Sequence, residues 1–202
     1  MSHNIAKIIY INLERRVDRL DEITKELTNF NLVGERFNAI PNSNGIVGCG
    51  YSHLKVLKLA KQRGYKNILI LEDDFTFLIP KEQFENELTL LFENDIPFDV
   101  CMLAYNLMES ETSVHGPFLK RVLFAQSASA YLVNSTYFDA LIDLYNVAIP
   151  ILEKTGQHWI YANDQIWKDL QRKDNWVCFT TRIGKQRNGY SDNANCYIEY
   201  DC

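Results

Sequence analysis

Apolar positions in the first half of the chain alternate between two rhythms. Residues 7–13 (KIIYINL) form a short run rich in β-branched residues, which reads as a buried strand. Leu20, Ile23, Leu27 and Phe30 then recur at spacings of three and four, the signature of one helix face. Residues 36–40 are compatible with a second strand. Residues 51–63 place Leu54, Leu57 and Ala60 on one helical face, and Gly64 supplies a C-terminal cap. Residues 67–71 (NILIL) make the clearest strand. Phe84, Leu88 and Leu91 mark another helix, and residues 99–104 (DVCMLA) another strand.

Strands and helices that alternate in this way predict an α/β fold. It has a mostly parallel, Rossmann-like sheet with helices on both faces. Ligands of such sheets collect at the carboxyl ends of the strands. Three segments are therefore of interest: those after Leu13, Leu71 and Ala104.

The second half is less regular. Strands are expected at 120–124, 128–133 and 176–181. Phe138, Leu141, Ile142, Tyr145, Ile149 and Leu152 trace a long amphipathic helix, which Pro150 is expected to end or kink. Residues 164–170 suit a short helix capped by Asn163 or Asp164. Residues 182–202 are polar, carry an Asn188-Gly189 turn signal, and are expected to wrap over the domain.

The 202 residues suit one domain, 1–202, and the 23% charged and 47% hydrophobic fractions are ordinary for a globular protein. A net charge of -5 argues against general nucleic-acid binding. Five cysteines without a CxxC pair argue against a zinc finger or a secreted disulfide framework. Reduced thiols and the absence of a signal-like start point to the cytoplasm. No apolar run approaches the roughly 20 residues of a transmembrane helix, although a peripheral membrane contact remains compatible.

Candidate chemistry begins with Glu72, Asp73 and Asp74. Three successive carboxylates at the end of an apolar strand repel one another unless a cation compensates them. In extended geometry Glu72 and Asp74 would share a face. Their hard oxygens suit manganese or magnesium, with a diphosphate completing the shell. A solvated acidic turn is the plain alternative. After the first strand come Asn12, Leu13, Arg15, Arg16, Asp18 and Arg19, where arginine forks match phosphate oxygens. A solvated first helical turn explains them equally well.

Gly45, Gly48 and Gly50 permit a tight loop near a ligand, with Ser52 and His53 opening the next helix at its anion-favouring end. Cys49 reads as a small packing residue. Residues 126–131 (QSASAY) suit tight packing or an acceptor pocket. In residues 158–164 (HWIYAND) the aromatics suit a sugar face, and Asp164 serves as a base or as a helix cap.

Taken in order, four segments resemble glycosyltransferase family 25, the lipopolysaccharide and collagen galactosyltransferase group. They are INLERRVDR (11–19), GIVGCGYSHLKVLK (45–58), ILEDD (70–74) and ASAYLVN (128–134). The resemblance implies a GT-A-like fold, a UDP-hexose donor, a divalent metal (Mn2+ or Mg2+) and inversion at the anomeric carbon. It makes Glu72 and Asp74 metal positions. Asn12, Leu13, Arg15, Arg16, Arg19, Ser52, His53 and Asp73 become donor-binding positions, and Asp164 the base. Gly48, Gln186, Ser191 and Asp192 match lesser features of the family. The acceptor would be a glycan, lipopolysaccharide or protein hydroxyl. The donor-binding half would span about residues 1–106 and the acceptor-side half about 107–202.

Two other classes compete. A metal-dependent phosphotransferase or phosphatase built on D-x-D-x-T needs an aspartate where this chain has Glu72. A non-catalytic nucleotide-sugar-binding module would have little reason to keep all three acids.

Overall fold

A computed structural model describes residues 4–191 and 196–199. Strand β1 (Ile8–Asn12) is followed by α1 (Val17–Asn29), β2 (Gly34–Asn38), α2 (Gly45–Gln62) and β3 (Asn67–Glu72). A short β4 (Phe75–Phe77) precedes α3 (Lys81–Glu93), β5 (Val100–Met102), β6 (Asn106–Thr112), β7 (Leu119–Gln126) and β8 (Ala130–Asn134). Next come α4 (Phe138–Thr155), α5 (His158–Tyr161), α6 (Asn163–Ile166) and α7 (Lys168–Lys173). The chain finishes with β9 (Trp176–Phe179), β10 (Gly184–Gln186), β11 (Gly189–Ser191) and β12 (Cys196–Ile198).

Eight strands form the central sheet in the order β2-β1-β3-β8-β5-β9-β7-β6. Six run the same way. β8 and β7 run against them, so the sheet is mostly parallel in direction but mixed in its pairings. Side chains alternate across the strands as the period of two requires. Ile9, Ile11, Ile68 and Ile70 face a core built with α2 and α4. Ile8, Leu69 and Leu71 face a second core built with α1 and α3. Both faces of β3 are therefore dry, which is why its sequence is continuously apolar.

Several expectations change at this level. The glycines at 45, 48 and 50 lie in the opening turns of α2 and form no ligand loop, because Asn44 caps the helix by accepting the N–H of Ile46 at 3.1 Å. Ser52 and His53 sit deeper in that helix, away from its N-terminus. Gly48 is needed for packing: a Cβ there would lie 2.6 Å from the Ile40 carbonyl oxygen. Pro150 does not end α4, which continues to Thr155 and stops at Gly156 in the left-handed region (φ 69°). Ala162, rather than Asn163 or Asp164, occupies the N-cap of α6. Strand β6 had no sequence signal. It is a polar, exposed edge strand, and its charges guard the open edge against further pairing.

Among the described residues, the tail wraps over the domain at β10. β10 pairs antiparallel with β4, directly behind the acidic run. Among the described residues, no helix is long and apolar enough to cross a membrane.

Candidate active site

The carboxyl ends of β1 and β3 open onto one cleft with an empty volume of about 810 Å³, mouth included. Leu13, Arg15, Arg16 and Arg19 line it from the segment after β1, Gly48, Cys49 and Ser52 from α2, and Gln186 from β10. Glu72, Asp73 and Asp74 line it as well. The chain passes to one side of β1 for β2 and to the other for β3, and this reversal of strand order leaves the space at the strand ends, as the general rule for such sheets requires.

The acidic run does not stay extended. Glu72 closes β3, and Asp73 and Asp74 form the turn into β4. The expected shared face of Glu72 and Asp74 is replaced by different partners around a common cleft. Asp74 accepts from Arg19 Nη1 at 2.8 Å and from Gln186 Nε2 at 3.0 Å. Its other oxygen, Oδ1, is buried without a hydrogen-bond partner. Burial and the neighbouring Glu72 charge push the Asp74 carboxyl up to about 7, against the pull of Arg19. Asp73 accepts from Asn12 at 2.7 Å and from Arg19 at 3.2 Å, and burial raises it as well.

Glu72 turns towards α2. Its Oε1 meets His53 Nε2 at 3.0 Å and accepts from the Cys49 thiol at 3.2 Å. Burial alone would raise this carboxyl, but the His53 and Cys49 contacts outweigh it and hold Glu72 below the usual carboxylate range. His53 is fully buried, and its Nδ1 meets the Tyr131 hydroxyl at 2.9 Å. Cys49 is more than a packing residue. Its sulfur accepts from Asn163 Nδ2 at 3.2 Å, and burial together with Glu72 pushes the thiol well above its ordinary value.

The remaining positions divide clearly. Asn12 is buried behind the cleft, where it also donates to the Arg16 carbonyl and accepts from Arg36 Nε. Arg16 pairs with Asp18 at 2.7 Å. Arg19 Nη2 donates to the Tyr190 carbonyl, tying the tail to the site. Ser52 is structural in its contacts, because its hydroxyl accepts the Ile40 N–H at 2.8 Å and donates to the Gly48 carbonyl. Asp164 is not among the described residues that line the cleft. Its Oδ2 accepts the N–H of Ser127 at 3.1 Å, which steadies Ser127 in a left-handed conformation (φ 85°). Ser191 ends β11, while its side chain and Asp192 fall outside the described residues.

Sequence reasoning gave Cys49 a bland role and singled out neither Tyr131 nor Asn163 as a contact of the site. Only the spacing of Cys49 and His53, four apart on one helix, offered a signal.

The model of glycosyltransferase family 25 (LPS biosynthesis protein) matches residues 41–158. The chain belongs to this family. The family 25 match spans α2 and the acidic run, which line the cleft, and β8, whose Tyr131 meets His53. No curated protein matches the chain by sequence. Among solved structures, the chain is similar to a mannose-1-phosphate geranyltransferase from Thermus thermophilus. That match has 8% identity and a TM-score of 0.50, covering 91% of this chain and 74% of the other. It is also similar to the glycosyltransferase GlyE of Streptococcus pneumoniae, with 12% identity and a TM-score of 0.50, covering 87% of this chain and 45% of that one. These likenesses show the fold, which is GT-A-like. Family membership makes the protein a glycosyltransferase.

Proposed function

We propose that this family 25 glycosyltransferase moves a hexose, galactose or glucose, from a UDP-sugar to a saccharide or glycoconjugate hydroxyl. In this reading the reaction inverts the anomeric carbon and depends on manganese or magnesium. The observation that carries the reading is the buried, unpartnered Oδ1 of Asp74 in the wall of an arginine-lined cleft. A buried carboxylate oxygen without a donor is costly, and a hard divalent cation is the partner that would satisfy it. The donor set therefore fits the ion.

Glu72 and Asp74 would hold the cation, with Asp73 fixing Asn12 and Arg19 around them. A bound divalent ion neutralises the leaving nucleoside diphosphate. Arg15, Arg16 and Arg19, which line the cleft, would add positive charge beside the diphosphate. The half of the chain up to about residue 106 supplies these donor contacts. The acceptor hydroxyl enters from the other half, loses its proton to Asp164, and attacks from the face opposite the leaving group. A carboxylate has about four acceptor positions, so Asp164 retains lone pairs beside its bond to Ser127.

Titration calorimetry with UDP-hexose and manganese tests the metal assignment. Asp74→Ala is expected to lower donor affinity by roughly 100-fold or more, the equivalent of several kcal/mol. Unchanged affinity would reduce the acidic run to a solvated turn. Asp164→Asn tests the base: turnover should fall by about 10²–10⁴-fold while manganese-dependent donor binding persists. Retained turnover would remove Asp164 from that role.

A further inference from the structure

Beside Asp73 and Asp74, and sharing Glu72 with the position proposed for manganese, lies a second group of ligand atoms with a different chemistry. Cys49 Sγ, His53 Nε2 and a Glu72 oxygen all lie within 4.8 Å of one another. Two of the separations are 3.2 Å and 3.0 Å, both to Glu72 Oε1. Tetrahedral bonds of about 2.0–2.3 Å to N, O and S separate ligands by roughly 3.3–3.6 Å. The two Glu72 separations reach this range after shifts of a few tenths of an ångström, and the Cys49–His53 separation, which is within 4.8 Å, closes by about 1 Å at most.

We infer that Cys49, His53 and Glu72 form a seat for a thiophilic divalent cation of the zinc class, distinct in ligand type from the all-oxygen position proposed for manganese. Three protein ligands with a fourth position open to the cleft match a borderline-soft ion. Cys49 and Glu72 both line that cleft, which provides the entry path.

The contacts behind the ligands support this. A metal-bound imidazole needs its other nitrogen fixed, and the Tyr131 hydroxyl holds His53 Nδ1 at 2.9 Å. The tautomer with a lone pair at Nε2 carries its proton on Nδ1, and the Tyr131 hydroxyl oxygen accepts that N–H. A metal-bound sulfur gains from an N–H donor, and Asn163 Nδ2 lies 3.2 Å from Cys49 Sγ. Packing fixes the spacing as well. Gly48 seats α2 against the Ile40 carbonyl, and His53 stacks with Tyr131, ring centroids 5.7 Å apart. When an ion enters, the thiol proton leaves to solvent and the sulfur binds as thiolate.

The two seats share Glu72, so they compete. A zinc-class ion would withdraw Glu72 from the oxygen-rich position and would antagonise manganese-dependent turnover. That consequence rests on the proposed function, but the seat itself does not. Its test reads coordination directly, so failure of the seat and failure of the glycosyl-transfer reading are distinguishable.

The test uses the full chain with Cys196→Ser and Cys202→Ser, which removes the exposed Cys196 thiol and the terminal cysteine. Cobalt(II) alone is added as probe. A thiolate-to-cobalt charge-transfer band is expected in this protein and is lost in Cys49→Ser. Tyr131→Phe should weaken cobalt binding by about tenfold or more. X-ray absorption of the zinc-loaded protein should find one sulfur at about 2.3 Å among nitrogen and oxygen ligands near 2.0 Å. That measurement needs no variant at the site, so it decides even if Cys49→Ser does not fold. A shell without sulfur, or a band that survives Cys49→Ser, overturns the inference.

Discussion

Glu72 and Asp74 stand two residues apart, at the end of β3 and in the turn that follows, yet their surroundings drive them in opposite directions. On the α2 side, Glu72 meets an imidazole and a thiol, and 21% of its side chain remains exposed. It is held as a carboxylate. On the α1 and β10 side, Asp74 is 6% exposed, shares one guanidinium with Asp73 and leaves an oxygen unpartnered. Its charged form is disfavoured. Hydrogen bonds to the ionised form win in the first case, and desolvation with like charges wins in the second. Proximity in sequence therefore does not predict protonation. The two sides of the run are tuned separately by the elements packed against them.

Removing the cation from the Asp74 side should break this contrast most severely. Arg19→Ala leaves two buried carboxylates without their shared partner and is expected to cost about 3–5 kcal/mol in urea denaturation of the metal-free protein. Adding Asp74→Asn should recover much of that loss. A loss below about 1 kcal/mol would mean that solvent, rather than Arg19, compensates the pair.

The same burial cost should appear as a pH slope. The folded-state value of Asp74 is raised from 3.8 to about 7, so the folded protein binds its proton more tightly than the unfolded chain does. This stabilising contribution is complete below about pH 4 and is lost as pH rises towards 7. Asp74→Asn should flatten that segment of the metal-free stability curve, and an unchanged slope would assign it to another group.

The smallest effect probes the strap behind the turn. A Cβ on Gly184 would lie 2.2 Å from the Phe75 ring and 2.6 Å from the Thr76 carbonyl. Gly184→Ala should therefore push β10 off β4 at a cost of about 1–3 kcal/mol. It should also loosen Gln186 from Asp74 while leaving the Glu72 contacts intact. Equal loss of His53 and Glu72 order, read by NMR, would show that the two sides are not independent.

Much of this arrangement is legible in the sequence, for identifiable reasons. β3 is readable because both its faces are buried, so NILIL carries no polar interruption. α1 and α3 are readable because one face of each packs on the sheet. The acidic run draws attention through electrostatics alone, and the arginines after β1 through phosphate chemistry. The glycines of α2 are read as a loop but lie in a helix, because glycine signals close backbone approach without saying which backbone approaches. At Gly48 one such approach is the Ile40 carbonyl, and Gly48 also lines the cleft. Pro150 is read as an end or a kink, and it does not end the packed α4, which carries on through it to Thr155. β6 is invisible because an exposed edge strand needs no apolar alternation.

The sequence by itself determined the α/β alternation, the buried strand that ends in three acids, and membership of glycosyltransferase family 25. Those properties follow from local periodicity and from residue types at short spacing. Only the tertiary structure decided that β8 runs antiparallel between β3 and β5, that the tail closes on Asp74, and that Cys49, His53 and Tyr131 meet at Glu72. These contacts join residues up to 112 positions apart. No local preference encodes such distances. They are fixed when the two cores close on either face of the sheet and leave each buried polar group to find its partner.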